Sequence, residues 1–394
     1  MTPFLTLVIA GLLSRFSYQM ARSPVLPRFA QDLGATPELI GLIVGASTIT
    51  GVFIKLPAGA LSDLLGRKRM LLLGALFFAG PPFLYPLVGG PIALLLLRFL
   101  HGLATAIFSP VAAAYVADLF QQGRGEKLGW FASANDVGAT AGPLLGGLIL
   151  FYTASYPTTY LVVGLLGLLP LLLVLRLPEG IPHSPAAGRP GRWEQFRRGV
   201  AEVLSNPAVV IASIMEATMY LGYAAFQGFF PPYARGIGLN DAQIGVVMGV
   251  QLATTMAAKP LTGRLSDQIG RKPLIFAGLV LVAVMLPLIP ATRALGPLLV
   301  WSALLGLGVA TVTPSTTALI ADLARRGRMG SAMGVFGTIW DTGEASGPIV
   351  AGFLIGTLSY PPAFLILSGI LALSALIFAV AVPDPQAGTA PTHP

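Results

Sequence analysis

The chain has 394 residues, of which 55% are hydrophobic and 10% charged, with a mean hydropathy of +0.78 and a formal net charge of +8. A water-soluble domain carries about 25% charged residues, so this composition excludes a soluble protein and predicts that most of the chain faces lipid. The absence of cysteine excludes disulfides, thiolate metal sites and cysteine nucleophiles.

Long apolar segments predict twelve membrane-spanning helices, because a span needs about 20 apolar residues. The first segment lacks a basic leader and a small-residue cleavage site, which predicts a retained span rather than a signal peptide. The expected fold is an all-α membrane protein with two six-helix halves, residues 1–176 and 207–383. The predicted spans are 4–24, 39–62, 70–88, 91–117, 128–151, 157–175, 207–230, 241–262, 274–291, 296–321, 331–357 and 361–382.

Basic residues concentrate in the loops on one side of these spans, and the opposite loops hold little more than Arg28, Arg235 and Arg293. Lys and Arg remain in the cytoplasm, so the basic loops and both termini are predicted to be cytoplasmic. The positive charge therefore reflects topology rather than nucleic-acid binding. The basic loops contain Arg67, Lys68, Arg69, Arg124, Lys127, Arg176, Arg189, Arg192, Arg197, Arg198, Arg271, Lys272, Arg325, Arg326 and Arg328.

The segment 177–206 is the predicted linker between the halves. It begins with Pro, Gly and Ser and then becomes amphipathic, which predicts a helix on the cytoplasmic membrane surface. Its apolar face would contain Trp193, Phe196, Val200, Val203 and Leu204. Residues 384–394 are predicted to be a disordered tail.

The two halves share sequence. Residues 59–69 and 263–273 are identical at seven of eleven positions, 204 residues apart, and each is predicted to form a tight polar loop. Such doubling indicates a transporter built from structural repeats. Further pairs at the same offset are Lys55 with Lys259, Gly102 with Gly306 and Asp118 with Asp322, and Asp136 corresponds to Asp341 at an offset of 205.

On these motifs the chain resembles the major facilitator superfamily of transporters over nearly its whole length. The resemblance implies that residues 59–69 latch the two halves on the cytoplasmic side, with Asp63 at the N-terminal dipole of span eleven. The basic residues alone could be topology signals, but the positive-inside rule does not require Asp63. The expected latch residues are Gly59, Asp63, Gly66, Arg67, Lys68, Asp118, Arg124, Gly263, Asp267, Gly270 and Arg271.

Span five is similar to the signature of the drug–proton antiporters of that family, which implies export. Its small residues let helices approach closely and Pro143 kinks the span, although a generic packing face would use the same residue types. The signature residues are Gly129, Gly138, Gly142, Pro143, Gly146 and Gly147, and a degenerate copy follows at Gly334, Gly343, Gly347, Pro348 and Gly352.

Span four resembles a second family signature through Arg98, with His101 in place of the usual Gln. A buried arginine is costly and needs partners, whereas a lone histidine is more often a packed side chain than a proton carrier. Span one places Arg15, Gln19 and Arg22 on one face and lacks the acid that many relatives have there. We expect Arg15, Gln19, Arg98 and His101 to line the substrate cavity.

Four acids lie within the spans: Asp136, Glu216, Asp341 and Glu344. Burial disfavours an ionised carboxylate, so each acid either pairs with a base or binds protons. We expect Glu216 to be the principal proton carrier and Asp136 the secondary one, because Asp136 has Arg98 as a possible partner, while Asp341 and Glu344, one turn apart, could share a proton. Candidate bases are Arg15, Arg98, Lys55 and Lys259, and the two lysines could instead anchor helix ends.

The most concrete prediction is proton-coupled efflux of small amphipathic compounds or drugs by alternating access, by a monomer in a bacterial inner membrane. The expected partners are a small molecule, protons and membrane lipid, without nucleic acid, cofactor or metal. The first alternative is an exporter of a metabolite, sugar or lipid. The second, a membrane receptor or enzyme, is disfavoured because the three histidines are scattered and no P-loop is present.

Overall fold

The computed structural model describes residues 2–120, 122–179, 201, 206–323 and 329–382, and these ranges contain helices without strands. The linker prediction at 193–204 and the tail prediction at 384–394 lie outside the described residues, apart from Ala201. The first half contains α1 (Pro3–Arg22), α2 (Val25–Asp32), α3 (Pro37–Leu65), α4 (Arg67–Ala79), a 3-10 helix (Pro81–Leu87), α5 (Pro91–Leu119), α6 (Arg124–Thr153) and α7 (Tyr156–Leu175). The second half contains α8 (Pro207–Gly236), α9 (Asp241–Ile269), α10 (Arg271–Leu288), α11 (Leu295–Leu323), α12 (Met329–Leu358) and α13 (Tyr360–Ala381).

Prolines interrupt the helices at two places in the first half. The first span ends as α1 at Arg22, where Ser23 is extended before Pro24, and continues as α2. The third span changes to a 3-10 helix at Pro81 and Pro82, because proline lacks the N–H that continues an α-helix. The predicted first span, 4–24, ends at its break and omits α2, whereas the predicted third span, 70–88, is continuous where the structure is broken.

The repeated stretch is mostly helical rather than a polar loop. Helix α3 continues to Leu65 and α4 begins at Arg67, so only Gly66 separates them. Gly66 has φ +95° and its repeat Gly270 has φ +103°, backbone angles that glycine adopts without the strain of a Cβ atom. The prediction of a loop over 59–69 was therefore wrong in extent, and each turn is made by one glycine.

Ten helical units in the described ranges are long and apolar enough to cross a membrane. The two remaining long helices are α6 and α12, each of 30 residues. Acidic and small residues lower their hydropathy, notably Asp136 in α6 and Asp341 with Glu344 in α12. These are the helices that face the other half.

The two halves meet at the end away from Gly66 and Gly270, which we call the opposite end. A Cβ atom added to Gly147 of α6 would lie 2.6 Å from the Asp241 carbonyl oxygen of α9, and one added to Gly352 of α12 would lie 3.1 Å from the Cα atom of Glu38 in α3. At the end of Gly66 and Gly270, the loop end, the described residues pack less. Added Cβ atoms there would meet no heavy atom within 4 Å at Gly59, Gly129, Gly334 or Gly337. We call the open space that these four helical glycines border, toward the loop end, the gap.

Candidate functional site

Two ion pairs join the halves across this gap. Lys55 of α3 contacts Asp341 of α12, with Nζ and Oδ2 2.5 Å apart. Lys259 of α9 contacts Asp136 of α6, with Nζ and Oδ2 3.1 Å apart. The two lysines occupy equivalent positions in the repeat, and so do the two aspartates. The two ion pairs are therefore related by the repeat, and in each of them a lysine of one half binds an aspartate of the other half. Here the lysines are partners of the predicted acids rather than helix-end anchors.

Helix α1 adds a third contact between the halves, in which Arg22 Nη2 lies 2.9 Å from Glu344 Oε1. Asp341 and Glu344 therefore each have a basic partner of their own. Arg15 lies two turns before Arg22 and is half-buried. Within the described part of the chain Arg15 makes no ion pair or hydrogen bond, although Asp341 and Glu344 are near enough to act on it electrostatically.

Glu216 of α8 is completely buried, and among the described residues neither carboxylate oxygen has a hydrogen-bond partner. Lys259 and Thr316 are close enough to influence its carboxyl group. The Thr316 hydroxyl, however, donates to the Val312 carbonyl oxygen at 3.0 Å. Burying an ionised carboxylate without a partner in such a site costs several kcal/mol, similar to the cost of placing a charged side chain in the membrane interior. Glu216 thus differs from the other three acids, each of which contacts a base.

Arg98 does not pair with Asp136, which contradicts that option in the sequence analysis. Its Nη2 donates to Ser47 Oγ at 2.7 Å, its guanidinium lies 5.4 Å from the centre of the Tyr18 ring, and Tyr85 OH is 3.5 Å from Nη1. Arg98 points into the first half, whereas Asp136 faces the gap. Chain proximity of α5 and α6 did not bring the two side chains together.

His101 belongs to the same buried cluster, since its Nδ1 lies 3.0 Å from Tyr85 OH. Arg98 and His101 are both fully buried. Both side chains are closed off from the gap in this structure, and their place in the substrate cavity stays a prediction. The aromatic partners Tyr18, Tyr85 and Tyr160 were not identified from the sequence, where tyrosines inside spans look like ordinary packing residues.

The span-five glycines bring α6 against α1. A Cβ added to Gly142 would lie 2.8 Å from the Met20 nitrogen and from Gln19 Cβ, and one added to Gly146 would lie 2.7 Å from the Met20 carbonyl oxygen. Gly138 is closer still to α1, at the Leu12 carbonyl oxygen. Gln19, which was predicted to line the substrate cavity, therefore packs against the span-five signature glycine Gly142. Pro143 lies within α6, and its carbonyl faces Gly245 of the second half.

The latch residues of the first half form a charge cluster around Arg67. Its Nη2 lies 2.7 Å from Asp63 Oδ1 and its Nε lies 2.9 Å from Asp118 Oδ2. Ser62 also accepts a hydrogen bond from Arg67. Lys68 lies in the first turn of α4, and Arg124 begins α6, although its side chain lies outside the described set.

The second half repeats this arrangement. Arg271 binds Asp267 and has Nε 3.2 Å from Asp322 Oδ2, with Ser266 Oγ 3.3 Å from Nη1. Gly263 lies beside Pro314, whose Cβ would be 3.8 Å from an added Cβ. Contact of Asp63 with the N-terminus of span eleven stays a prediction, because residues 324–328 just before α12 are outside the described ranges.

A second group of charges closes the opposite end, and the sequence analysis did not assign it a role. Arg28 of α2 binds Asp241 of α9, and Arg235 Nη1 of α8 lies 3.1 Å from Asp32 Oδ2 of α2. The hydroxyl of Tyr156 also donates to Asp32 at 2.6 Å. We call these five residues the opposite-end cluster. The sequence did contain an indication of this cluster, since Arg28 and Arg235 are among the few basic residues predicted on that side of the membrane.

Comparison with known proteins identifies this architecture. The sequence model of the Major Facilitator Superfamily matches residues 7–240 and 212–394. The chain belongs to this superfamily. Multidrug resistance protein 1 of Bacillus subtilis is 25% identical over 363 residues, covering 91% of both chains. The quinolone resistance protein NorA of Staphylococcus aureus is 22% identical and covers 84% of both chains.

Solved structures agree with the fold. A structure of a variant of the nucleoside transporter NupG superposes with a TM-score of 0.83 at 15% identity, covering 96% of this chain and 99% of that one. This likeness shows the fold alone. The prediction of a two-half major facilitator fold is confirmed, and the chain is an integral membrane transporter rather than an enzyme.

Proposed function

We propose that this major facilitator protein exports small amphipathic compounds from the cytoplasm in exchange for protons. The relatives named for multidrug and quinolone resistance support this choice of substrate, and the span-five glycine signature supports export. The basic residues at the loop end support a cytoplasmic position for that end and for both termini. A monomer in a bacterial inner membrane, in contact with lipid, completes the proposal.

The observation that supports alternating access most directly is the uneven contact between the halves. The halves are in contact at the opposite end, whereas four helical glycines of the described loop end meet no heavy atom within 4 Å. Rocking the halves would open the opposite-end cluster and bring the latch residues, which flank Gly66 and Gly270, closer together. In the resulting cycle, substrate enters from the cytoplasm in the present state and leaves after the opposite-end cluster separates.

Glu216 is our candidate for the principal proton carrier, with Asp136 second. Glu216 has no basic partner within hydrogen-bond distance among the described residues, so the neutral acid is cheaper to bury than its ion. Hydration on opening would favour release of the proton. Asp136, Asp341 and Glu344 each contact a base, at 3.1, 2.5 and 2.9 Å, so all three rank below Glu216, and Asp136, with the longest contact, ranks second.

The test is dye transport into proteoliposomes with a pH gradient, with pyranine inside to report proton movement. Rhodamine 6G and a neutral and an anionic fluorescent dye serve as probes. We expect gradient-driven accumulation in the wild type. Glu216→Gln mimics the protonated acid and should abolish accumulation while dye binding persists.

Glu126→Gln is the matched control, because the Glu126 side chain is 64% exposed and pairs with the adjacent Lys127. It should transport normally. If Glu216→Gln still moves protons on dye addition at the wild-type rate, the carrier lies elsewhere, and the pair Asp341 and Glu344 comes next. Absence of any gradient-dependent transport in the wild type would contradict the proposed function itself.

A further inference from the structure

A cavity in the first half extends from the gap between α1, α5 and α6. Its volume is about 360 Å³, enough for an aromatic molecule of one or two rings. One wall is apolar and the other polar. The apolar wall contains Phe78, Phe108 and Phe131, and the polar wall contains Ser14, Arg15 and Asn135.

The polar wall has three groups able to donate hydrogen bonds. Arg15 has no partner among the described residues, so its guanidinium is free to bind an acceptor. Ser14 is 1% exposed and its Oγ has no hydrogen-bond partner in the described ranges, although a buried hydroxyl normally has one. The Asn135 Nδ2 donates one hydrogen to the Phe131 carbonyl oxygen at 2.9 Å and retains a second.

Charge balance around the cavity also favours an anion. At this level of the described helices there are four bases, Arg15, Arg22, Lys55 and Lys259, and three paired acids, Asp136, Asp341 and Glu344, while the fourth acid, Glu216, is neutral in the proposed function. Asp136 lines the same cavity and would repel an anion, but Lys259 neutralises it at 3.1 Å. Each of these three acids has its own ion-pair partner, which leaves Arg15 as the base without one, although Asp341 and Glu344 act on it electrostatically.

We infer that this cavity binds the anionic group of an amphipathic aromatic compound, with a carboxylate or sulfonate on Arg15 and the ring among the phenylalanines. A planar guanidinium with a free face suits an acid with two oxygens. This inference names a substrate class for the transport activity proposed above and therefore rests on it. The chain would then favour aromatic anions over cations of the same shape.

The test uses three probes with one ring system: 1-naphthylacetate, 1-naphthylacetamide and 2-(1-naphthyl)ethylammonium. Each competes with tritiated 1-naphthylacetate for the purified full-length protein in nanodiscs, in a scintillation proximity assay. Protein-free nanodiscs give the partitioning background. We expect the anion to bind at least tenfold more tightly than the amide or the ammonium.

Arg15→Gln should weaken anion binding at least tenfold and leave amide binding unchanged, whereas Arg15→Lys should retain part of the preference. Ser14→Ala should weaken anion binding a few-fold. Arg176→Gln, at an exposed arginine at the end of α7, is the control and should change neither. The site is refuted if Arg15→Gln keeps the anion preference or if the ammonium probe binds most tightly.

The site and the proposed function can fail separately. Arg15-dependent binding of the anion, without gradient-driven transport of any probe, would refute the function and support the site. Gradient-driven transport with equal affinity for all three probes would refute the site and support the function.

Discussion

The two symmetry-related ion pairs should differ in strength, although the repeat makes them chemical equivalents. The Asp341 side chain is 7% exposed and lies 2.5 Å from Lys55, whose side chain is 39% exposed. The Asp136 and Lys259 side chains are 43% and 32% exposed and 3.1 Å apart. Water therefore screens the second pair from both sides and the first mainly from the lysine side.

These exposures set the expected magnitudes. Removing one partner of a fully buried pair costs about 3–5 kcal/mol, whereas an exposed pair contributes about 0–1 kcal/mol. The half-exposed lysine reduces the first value, so we expect a coupling free energy of about 2 kcal/mol between Lys55 and Asp341. Between Lys259 and Asp136 we expect about 0.5 kcal/mol or less.

The measurement is a double-mutant cycle for each pair, from Lys→Gln and Asp→Asn variants, with reversible unfolding in mixed micelles followed by circular dichroism. A cycle between Lys55 and Asp136, which are not partners, is the control and should give a coupling near zero. Equal couplings for the two pairs, or a larger one for Lys259 with Asp136, would refute the argument that burial decides their strength.

Three further predictions concern packing and gating. Gly142→Leu should push α6 from α1 and reduce transport, whereas Gly129→Leu, in open space on the same helix, should be tolerated; comparable transport by both variants would contradict the close contact. Asp63→Asn should lower transport rates without affecting membrane insertion, because it removes a partner of Arg67, and a wild-type rate in proteoliposomes would count against the latch. Arg28→Gln leaves Asp241 without its base and should cost the closed opposite end about 2–3 kcal/mol, seen as faster maleimide labelling of a cysteine introduced there into the cysteine-free chain; unchanged labelling would show that the pair does not hold this end.

The fold was largely predictable because lipid imposes simple rules on composition. Apolar length located the helices, and the 204-residue offset located the halves. The interruption at Pro81 was not predicted, since hydropathy treats a proline as a single weakly polar residue, and the short helix α2 after Pro24 was missed. Helix continuity through Ser62 and Asp63 was also missed, because polar residues near a helix end resemble a loop in sequence.

The site was less predictable because its contacts depend on how the two bundles dock. The choice of Arg98 as a partner for Asp136 used neighbouring spans of one half, but Asp136 finds Lys259 in the other half. The repeat itself held the missing information. Lys55 corresponds to Lys259, and Asp136 corresponds to Asp341. If the halves are related by an approximate two-fold axis, a pair between Lys55 and Asp341 implies an equivalent pair between Lys259 and Asp136.

Comparison of the two repeats distinguishes charged residues that pair with each other from charged residues that are available for transport chemistry. Arg15, Arg98 and Glu216 lie inside the described spans and have no ion-pair partner among the described residues. Each departs from the repeat: Arg98 corresponds to Ser302, while at offsets of 204 or 205 Arg15 corresponds to Met219 or Tyr220 and Glu216 to Leu12 or Gly11. A charged residue that both halves contain can pair with the opposite charge that the repeat places in the other half. A charged residue that only one half contains has no such partner and must be neutralised in another way. A proton for Glu216 and an anionic substrate for Arg15 would supply that neutralisation, so these two departures from symmetry are where we expect coupling and specificity to be determined.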